Sequence, residues 1–433
     1  MASKNIRGDY DTIIIGSGIS GLASACILGR VGRKVLVLEQ HDRPGGCLHS
    51  FHASGFTFSS GNHYLGHFDD MAKKLVSVCG SCVHKHTPHS ETFIWDEKKS
   101  VSENNWEDIF ECTKSKITSM ADTMWWIAFI KLAPEWLALL AWAFLCLFHP
   151  SSFQPYRSYV KSKWFQMQEG DVGCEPVAMV GAAVSRHYMT GLSRLDPRFV
   201  YHCCKTIKRQ GGSVVVGKTV VKVTSKGVYI KDGDFVPATT VISSVGALAT
   251  CSFSNLPLVQ KSVQEIGQNV CHRFVFLGLD APSANVGLPE GVVWIKDNEK
   301  YVFASFDDQN GKCAVHLIAE GMKPADMIEL FLKHYPIKKH IVYEDSATKH
   351  SAKKYLGRFA SYGLSCRRDR FCKYRHVRAL RPNTSKKYLF LTGQDILLPG
   401  IVSALTTAMM TCRQVEGVSL WDTLTKNDIM DRI

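Results

Sequence analysis

The feature that most narrows the fold is a glycine turn, Gly16-Ser17-Gly18-Ile19-Ser20-Gly21, set between a β-branched run and an apolar stretch. Thr12-Ile13-Ile14-Ile15 has the composition of a buried strand, and the small and apolar residues from about Leu22 to Val31 that of a buried helix. After Gly32-Arg33-Lys34, the run Val35-Leu36-Val37-Leu38 predicts a second strand. Gly16 permits the tight turn, Gly18 lets the backbone approach a pyrophosphate, and Gly21 lets the helix pack close to the sheet. The helix N-terminus supplies N–H donors for phosphate oxygens. Glu39 ends the second strand about 20 residues after the turn, where an acid takes the hydroxyls of an adenosine ribose. The pattern predicts a Rossmann-type dinucleotide site.

Two further segments narrow the dinucleotide. Gly45-Gly46 follows the acid closely and allows a second near approach of backbone. Far downstream, Leu391-Thr392-Gly393-Gln394-Asp395 ends another strand just before a last helix, about Ile401 to Val415. A carboxylate at Asp395 suits ribityl hydroxyls, and a helix N-terminus after Pro399-Gly400 suits negative charge on a reduced flavin ring. No second G-x-G-x-x-G occurs, which argues against a dedicated nicotinamide-nucleotide domain. The cofactor read from these residues is FAD. Its candidate contacts are Gly16, Gly18, Gly21, Glu39, Gly45, Gly46, Gly393 and Asp395.

Gly45-Gly46-Cys47-Leu48-His49-Ser50-Phe51, Gly61-Asn62-His63-Tyr64-Leu65-Gly66 and Leu391-Thr392-Gly393-Gln394-Asp395-Ile396 resemble the retinol saturases. These belong to the phytoene desaturase and carotenoid isomerase group of FAD proteins. Amine oxidases share the first glycine motif but usually place Arg after the glycine pair; Cys47 followed by His49 is closer to the saturases. Weaker matches run through Arg186-His187-Tyr188, Gly211-Gly212, Ile242-Ser243-Ser244-Val245-Gly246, Tyr362-Gly363 and Leu380-Arg381-Pro382. The resemblance implies that Val220 contacts adenine through its backbone and that His63-Tyr64 lies near the flavin. Either of the latter would donate a proton or orient substrate, or His63 is simply a satisfied structural histidine. The chain departs from the family in three ways. Vertebrate members carry an amino-terminal hydrophobic segment, Pro399 here precedes Gly400, and residues 251–379 look shortened.

One stretch stands apart: Met124-Trp125-Trp126-Ile127-Ala128-Phe129-Ile130, a break at Lys131 to Glu135, then Trp136 to Phe148. Its longest apolar run is too short to cross about 30 Å of hydrocarbon as a helix, and Pro134 interrupts it. Helices apolar on every side are buried or in lipid, and the four tryptophans suit a headgroup interface. The segment 124–148 is therefore a membrane-facing patch or a lid over an apolar tunnel. A formal net charge of +13 is spread over short runs such as Arg367-Arg368-Asp369-Arg370 rather than one helix or groove. That argues against nucleic acid and leaves a solvated basic surface or attraction to an anionic membrane. Fifteen scattered cysteines and a polar start at Met1-Ala2-Ser3 predict reduced thiols on the cytosolic side. Cys79-Gly80-Ser81-Cys82 with His84, His86 and His89 lacks a second paired motif and predicts a surface loop, with no metal site.

The fold class expected is α/β, a Rossmann-type FAD-binding domain with a discontinuous mixed-sheet substrate domain. Residues 1–75, 195–250 and 380–433 would form the first, and 76–194 with 251–379 the second. The function implied by the resemblance is FAD-dependent oxidoreduction at a carbon–carbon double bond of a polyene or isoprenoid lipid. A redox-neutral polyene isomerase, an amine oxidase and a non-catalytic prenyl carrier of the GDP-dissociation-inhibitor type are the alternatives. The expected setting is intracellular and membrane-associated, as at the endoplasmic reticulum.

Overall fold

The computed structural model describes the chain apart from residues 1–5, 7, 62–64, 67–69, 86–90, 96–97, 103–113, 160–175, 190–191, 270, 290, 298–299, 348–349, 352–362, 418–419 and 421–433. Its first layer is a five-stranded parallel sheet. The strands are β1 (Thr12–Ile15), β2 (Val35–Leu38), β3 (Ser213–Val215), β4 (Thr240–Ser243) and β5 (Leu389–Leu391), ordered β3-β2-β1-β4-β5. β1 and β2 are buried along their whole length, as parallel strands covered on both faces must be. On one face lie α1 (Ile19–Arg30), α2 (Asp70–Val78), α3 (Phe199–Arg209) and α4 (Ile401–Glu416), with Leu22, Cys26, Leu75, Cys203 and Leu405 in a common core. The other face is covered by the three-stranded antiparallel sheet Val220–Thr224, Gly227–Ile230 and Phe235–Pro237, and by helix Pro257–Ile266. The Rossmann fold expected from the glycine turn is present.

A second, mixed sheet has seven strands. From one edge they are Ile341–Ala347, His272–Leu279, Lys312–Glu320, Lys300–Gln309, Val292–Asp297, Glu91–Trp95 and Lys98–Ser102. All neighbours are antiparallel except Val292–Asp297 with Glu91–Trp95. Phe274, Tyr301 and Ala314 lie on three of its strands. Helix Pro324–His334 covers one face through Met327 and Phe331. The other receives the hairpin Ser50–Ala53 and Phe56–Ser59, whose Phe56 and Phe58 pack on Phe276 and Ala314. This hairpin is close in sequence to the glycine pair yet spends its apolar side chains on the second sheet.

The apolar stretch forms a helical hairpin, Lys114–Leu132 and Glu135–Phe148, broken at Pro134. No helix among the described residues is long and apolar enough to cross a membrane. One face of the hairpin is buried: Ile127, Ile130, Ala138 and Leu145 pack with Val180, Phe371 and Leu397. The other exposes Trp125, Trp126, Phe129, Trp136, Leu139, Leu140, Phe144, Leu147 and Phe148, with Trp136 68% and Leu147 72% accessible. Two cations tie it to the chain that leads into β5. Lys131 Nζ donates to the carbonyls of Leu380 (2.6 Å) and Val377 (3.3 Å). Arg381 returns the contact, with Nε donating to the Lys131 carbonyl at 2.9 Å and its other nitrogen to that of Ala133. Each cation thus serves carbonyls that a helix end leaves without an intrahelical donor. Burial holds the Lys131 ammonium well below the usual lysine range, and the charges of Arg370 and Arg381 push the same way.

Candidate functional site

The N-terminus of α1 is where three glycine-bearing loops from distant parts of the chain meet. Gly16 turns with φ +91° while its N–H donates to the Leu38 carbonyl at 2.8 Å. A methyl group at Gly21 would lie 2.2 Å from the Gly16 carbonyl oxygen and 2.6 Å from Ser244 Oγ. Gly16 and Gly21 are therefore required by the protein's own packing. Gly18 is different: a methyl group there would meet nothing within 4 Å. Beside it stands Gly46 (φ +55°), on which a methyl group would sit 3.3 Å from Gly18 Cα. Gly45 (φ +119°) donates its N–H to Ser17, at 3.1 Å to Oγ and 3.2 Å to the carbonyl. From the far end of the chain comes Gly393 (φ +104°), whose added methyl would lie 3.2 Å from Ser20 Oγ in the first turn of α1. Backbone N–H donors, glycine surfaces and open space at Gly18 are what a pyrophosphate cradle needs.

Glu39 is buried, at 6% accessible, where β2 ends. Its Oε2 accepts from Ser17 N–H (2.9 Å) and Ser17 Oγ (2.5 Å), and its Oε1 from His41 N–H (3.0 Å). A carboxylate has about four lone-pair directions, so acceptor capacity is left for a ribose hydroxyl. The side chain therefore also pins the glycine turn, a duty the motif does not announce. Its backbone N–H donates to Val215 and its carbonyl accepts from Lys218, which brings the start of the Val220 strand alongside. Val220 itself is buried and opens that strand.

Asp395, at 4% accessible, follows β5 and ties three loops together. Its Oδ2 accepts from Ala247 N–H at 2.9 Å and its Oδ1 from Leu364 N–H at 3.2 Å. Gly363 (φ +71°) must be glycine here, since a methyl group would lie 2.3 Å from Oδ1. The carboxylate thus braces the loop that carries Gly393, whose N–H is held by Thr407 Oγ1 of α4 at 3.2 Å. α4 begins directly after Gly400 (φ +103°).

Arg370 is the residue that sequence reasoning missed. In the run Arg367-Arg368-Asp369-Arg370 it read as surface charge, yet it is 2% accessible. Its guanidinium donates to the carbonyls of Leu364 (3.1 Å), Asp395 (2.8 Å) and Leu397 (3.1 Å), with longer contacts to Ser365 and Gln394. The planar fork holds the 364–366 and 394–397 loops in one geometry, which a lysine could not do. No local pattern marks it, because its partners are backbone carbonyls of two loops that only the fold brings together.

The cysteine pair also departs from the surface loop expected of it. Cys79 is fully buried after α2, its sulfur within 4.8 Å of those of Cys26 and Cys203, while Cys82 is exposed beside strand Val83–Lys85. Hydrogen bonds from the Cys203 and Cys26 thiols lower the Cys79 thiol, against the opposing effect of burial. His63, Tyr64, His86, His89 and Tyr362 lie outside the described residues.

A family described as NAD(P)-binding Rossmann-like domain matches residues 14–77. The chain is 25% identical to the zebrafish (Danio rerio) all-trans-retinol 13,14-reductase, over 96% of this chain and 87% of that protein. It is 47% identical to the chloroplastic prolycopene isomerase of Daucus carota over 94 residues, 18% of this chain and 15% of the isomerase. In three dimensions it is similar to putrescine oxidase, with a TM-score of 0.68 at 15% identity, covering 94% of this chain and 99% of the oxidase. The likeness to the oxidase is one of fold, and the likeness to the reductase runs nearly end to end. With its strand-turn-helix opening and its second glycine loop at the end of β5, the chain has a Rossmann-like fold and resembles the retinol saturases almost end to end.

Proposed function

We propose that the protein is an FAD-dependent oxidoreductase acting on a carbon–carbon double bond of a polyene or isoprenoid lipid. The observation that carries this reading is the open space at Gly18, walled by Gly46 and by the Gly393 loop and braced by buried Glu39 and Asp395. A carrier that binds no flavin has no use for a cradle built from three remote segments. In this reading the α1 N-terminus with Gly16, Gly18 and Gly21 holds the pyrophosphate, Glu39 the ribose, and the Val220 backbone the adenine. Gly45, Gly46, Gly393 and Asp395 position the flavin half, Asp395 by its remaining acceptor capacity and by bracing its loop. Bound flavin supplies reversible hydride chemistry at a conjugated bond. The chain's own part is to orient the lipid, keep water out, and hold a proton at His63 or Tyr64. The near full-length likeness to the reductase supports a carbon–carbon bond as the target, and the shorter likeness to the isomerase supports a polyene.

The lipid substrate also gives the hairpin a purpose. Its exposed tryptophans, leucines and phenylalanines would rest in the face of an intracellular membrane, such as that of the endoplasmic reticulum, and the net charge of +13 would favour an anionic surface. The deciding experiment is an anaerobic absorption spectrum of the purified protein before and after candidate polyenes are added. Net reduction or reoxidation of the flavin supports the proposal. Isomerised product with no net flavin change would move the assignment to an isomerase, and protein that takes up no FAD would refute both.

A further inference from the structure

The strand Val83–Lys85 pairs antiparallel with Leu192–Leu195, Val83 opposite Leu195 and His84 opposite Arg194. Asp196 N–H donates to the Cys82 carbonyl at 3.3 Å, which sets Asp196 beside Cys82. Alternation along the strand puts Cys82 and His84 on one side while Val83 packs into the core between them. The Asp196 carboxylate is nearly buried, and its Oδ1 is fixed by Arg198 N–H at 2.6 Å. Its Oδ2 faces Cys82 Sγ at 3.8 Å, His84 Nε2 at 3.8 Å and His202 Nε2, in the first turn of α3, at 3.7 Å. Cys82 Sγ and His84 Nε2 are 3.6 Å apart.

These separations decide between two readings. Imidazole nitrogens at 3.7–3.8 Å from a carboxylate oxygen are beyond a hydrogen bond, which wants about 2.7–3.2 Å. Ligand atoms around a tetrahedral zinc ion, with bonds of about 2.0–2.3 Å, stand roughly 3.3–3.6 Å from one another. A contraction of a few tenths of an ångström would close Cys82, His84 and Asp196 on one ion. Arg198 also approaches Asp196, but on Oδ1, and its side chain is three-quarters exposed and free to swing away.

We propose that Cys82, His84 and Asp196 form a site for a single divalent zinc-type ion, with His202, close to Asp196 but outside that three-residue cluster, able to turn in as a fourth donor. Thiolate, imidazole and carboxylate together are a borderline-soft donor set that suits Zn²⁺ and Co²⁺ better than Mg²⁺ or Ca²⁺. The ion would staple the Val83–Lys85 strand to the start of α3. Val200 of that helix backs Gly45, where a methyl group would lie 2.9 Å from Val200 Cγ2, so the staple supports the outer wall of the glycine cradle.

The test uses the purified full chain, stripped with a chelator and titrated with Zn²⁺ or Co²⁺ alone. One equivalent should bind, Co²⁺ should give tetrahedral and sulfur charge-transfer absorption, and the metal should raise the melting temperature. Asp196→Asn, Cys82→Ser and His84→Ala should each weaken binding by at least about 10–100-fold, whereas Cys47→Ser, at an exposed thiol elsewhere, should not. His84 is exposed, so its variant keeps the test valid if Asp196→Asn fails to fold. Absence of stoichiometric uptake, or uptake that survives both Cys82→Ser and His84→Ala, would overturn the proposal.

Discussion

Two alanine substitutions only three residues apart, at the N-cap and in the first turn of α1, should have opposite consequences. At Gly21 the added methyl group would lie 2.2 Å from the Gly16 carbonyl, a backbone atom that cannot move without opening the turn. Overpacking of this kind costs about 1–3 kcal/mol or more, so Gly21→Ala should lower the melting temperature whether or not flavin is present. At Gly18 the backbone has φ −62° and ψ 172°, which alanine adopts freely, and no protein atom lies within 4 Å of the added carbon. Loss of a glycine N-cap should cost the unliganded protein at most about 1 kcal/mol. The methyl group would instead occupy the space assigned to the pyrophosphate. Displacing the phosphates enough to lose one charge-assisted hydrogen bond costs about 1.5–3 kcal/mol, a weakening of roughly 10- to 150-fold. Titration of apo-protein with FAD, read by quenching of free flavin fluorescence, gives the affinity, and thermal unfolding of the same samples gives the stability. Parental flavin affinity in Gly18→Ala would refute the assignment of that space. So would a Gly18→Ala protein as unstable as Gly21→Ala, which would mean the turn needs the glycine for itself.

Glu39→Ala should weaken flavin binding and lower stability together, because the two buried donors of Ser17, each worth about 1–3 kcal/mol, and the part-buried His41 N–H lose their acceptor; unchanged unfolding would show that the turn holds without it. Lys131 has a folded pKa below its unfolded value, so across the window beneath about pH 10.4 the unfolded chain holds the extra proton and stability rises with pH. Lys131→Met should flatten that rise in denaturant melts taken over a pH series, and an unaltered slope would remove Lys131 as its source. Polar residues at Trp136, Leu139, Leu140 and Phe144 should free the protein from membranes while flavin stays bound, since each large apolar side chain contributes about 1.5–3 kcal/mol when buried. High salt alone should not release the parent, whereas detergent should; a parent that is monomeric and soluble without detergent would refute the membrane patch.

The sequence by itself determined the strand-turn-helix-strand unit from Thr12 to Glu39 and the strand and glycine loop before α4. The physical reason is that these are local instructions. β-branched runs, glycines needed at positive φ or close contact, and an acid at a strand end act within a turn or two of the chain, wherever that chain is placed. A second, mixed sheet was expected as well, but its mixed character rests on the one parallel pair of Val292–Asp297 with Glu91–Trp95, which no local pattern encodes. What tertiary structure alone decided are the partners. The run Met124 to Ile130 and the helix Glu135–Phe148 are apolar nearly all round, so no sequence period says which face is covered; contact with Phe371 and Leu397 and the carbonyls held by Lys131 and Arg381 settle it. Arg370 and Lys131 became buried cations because carbonyls hundreds of residues away or in another loop converge on them, which no neighbouring residue encodes. Cys79 and Cys82 share a motif in the sequence and part company in the fold, one to a sulfur-rich core and the other to His84, Asp196 and His202. Strand register is set by how distant segments bury their apolar faces together, and only that closure brings a carboxylate from residue 196 to a thiol at residue 82.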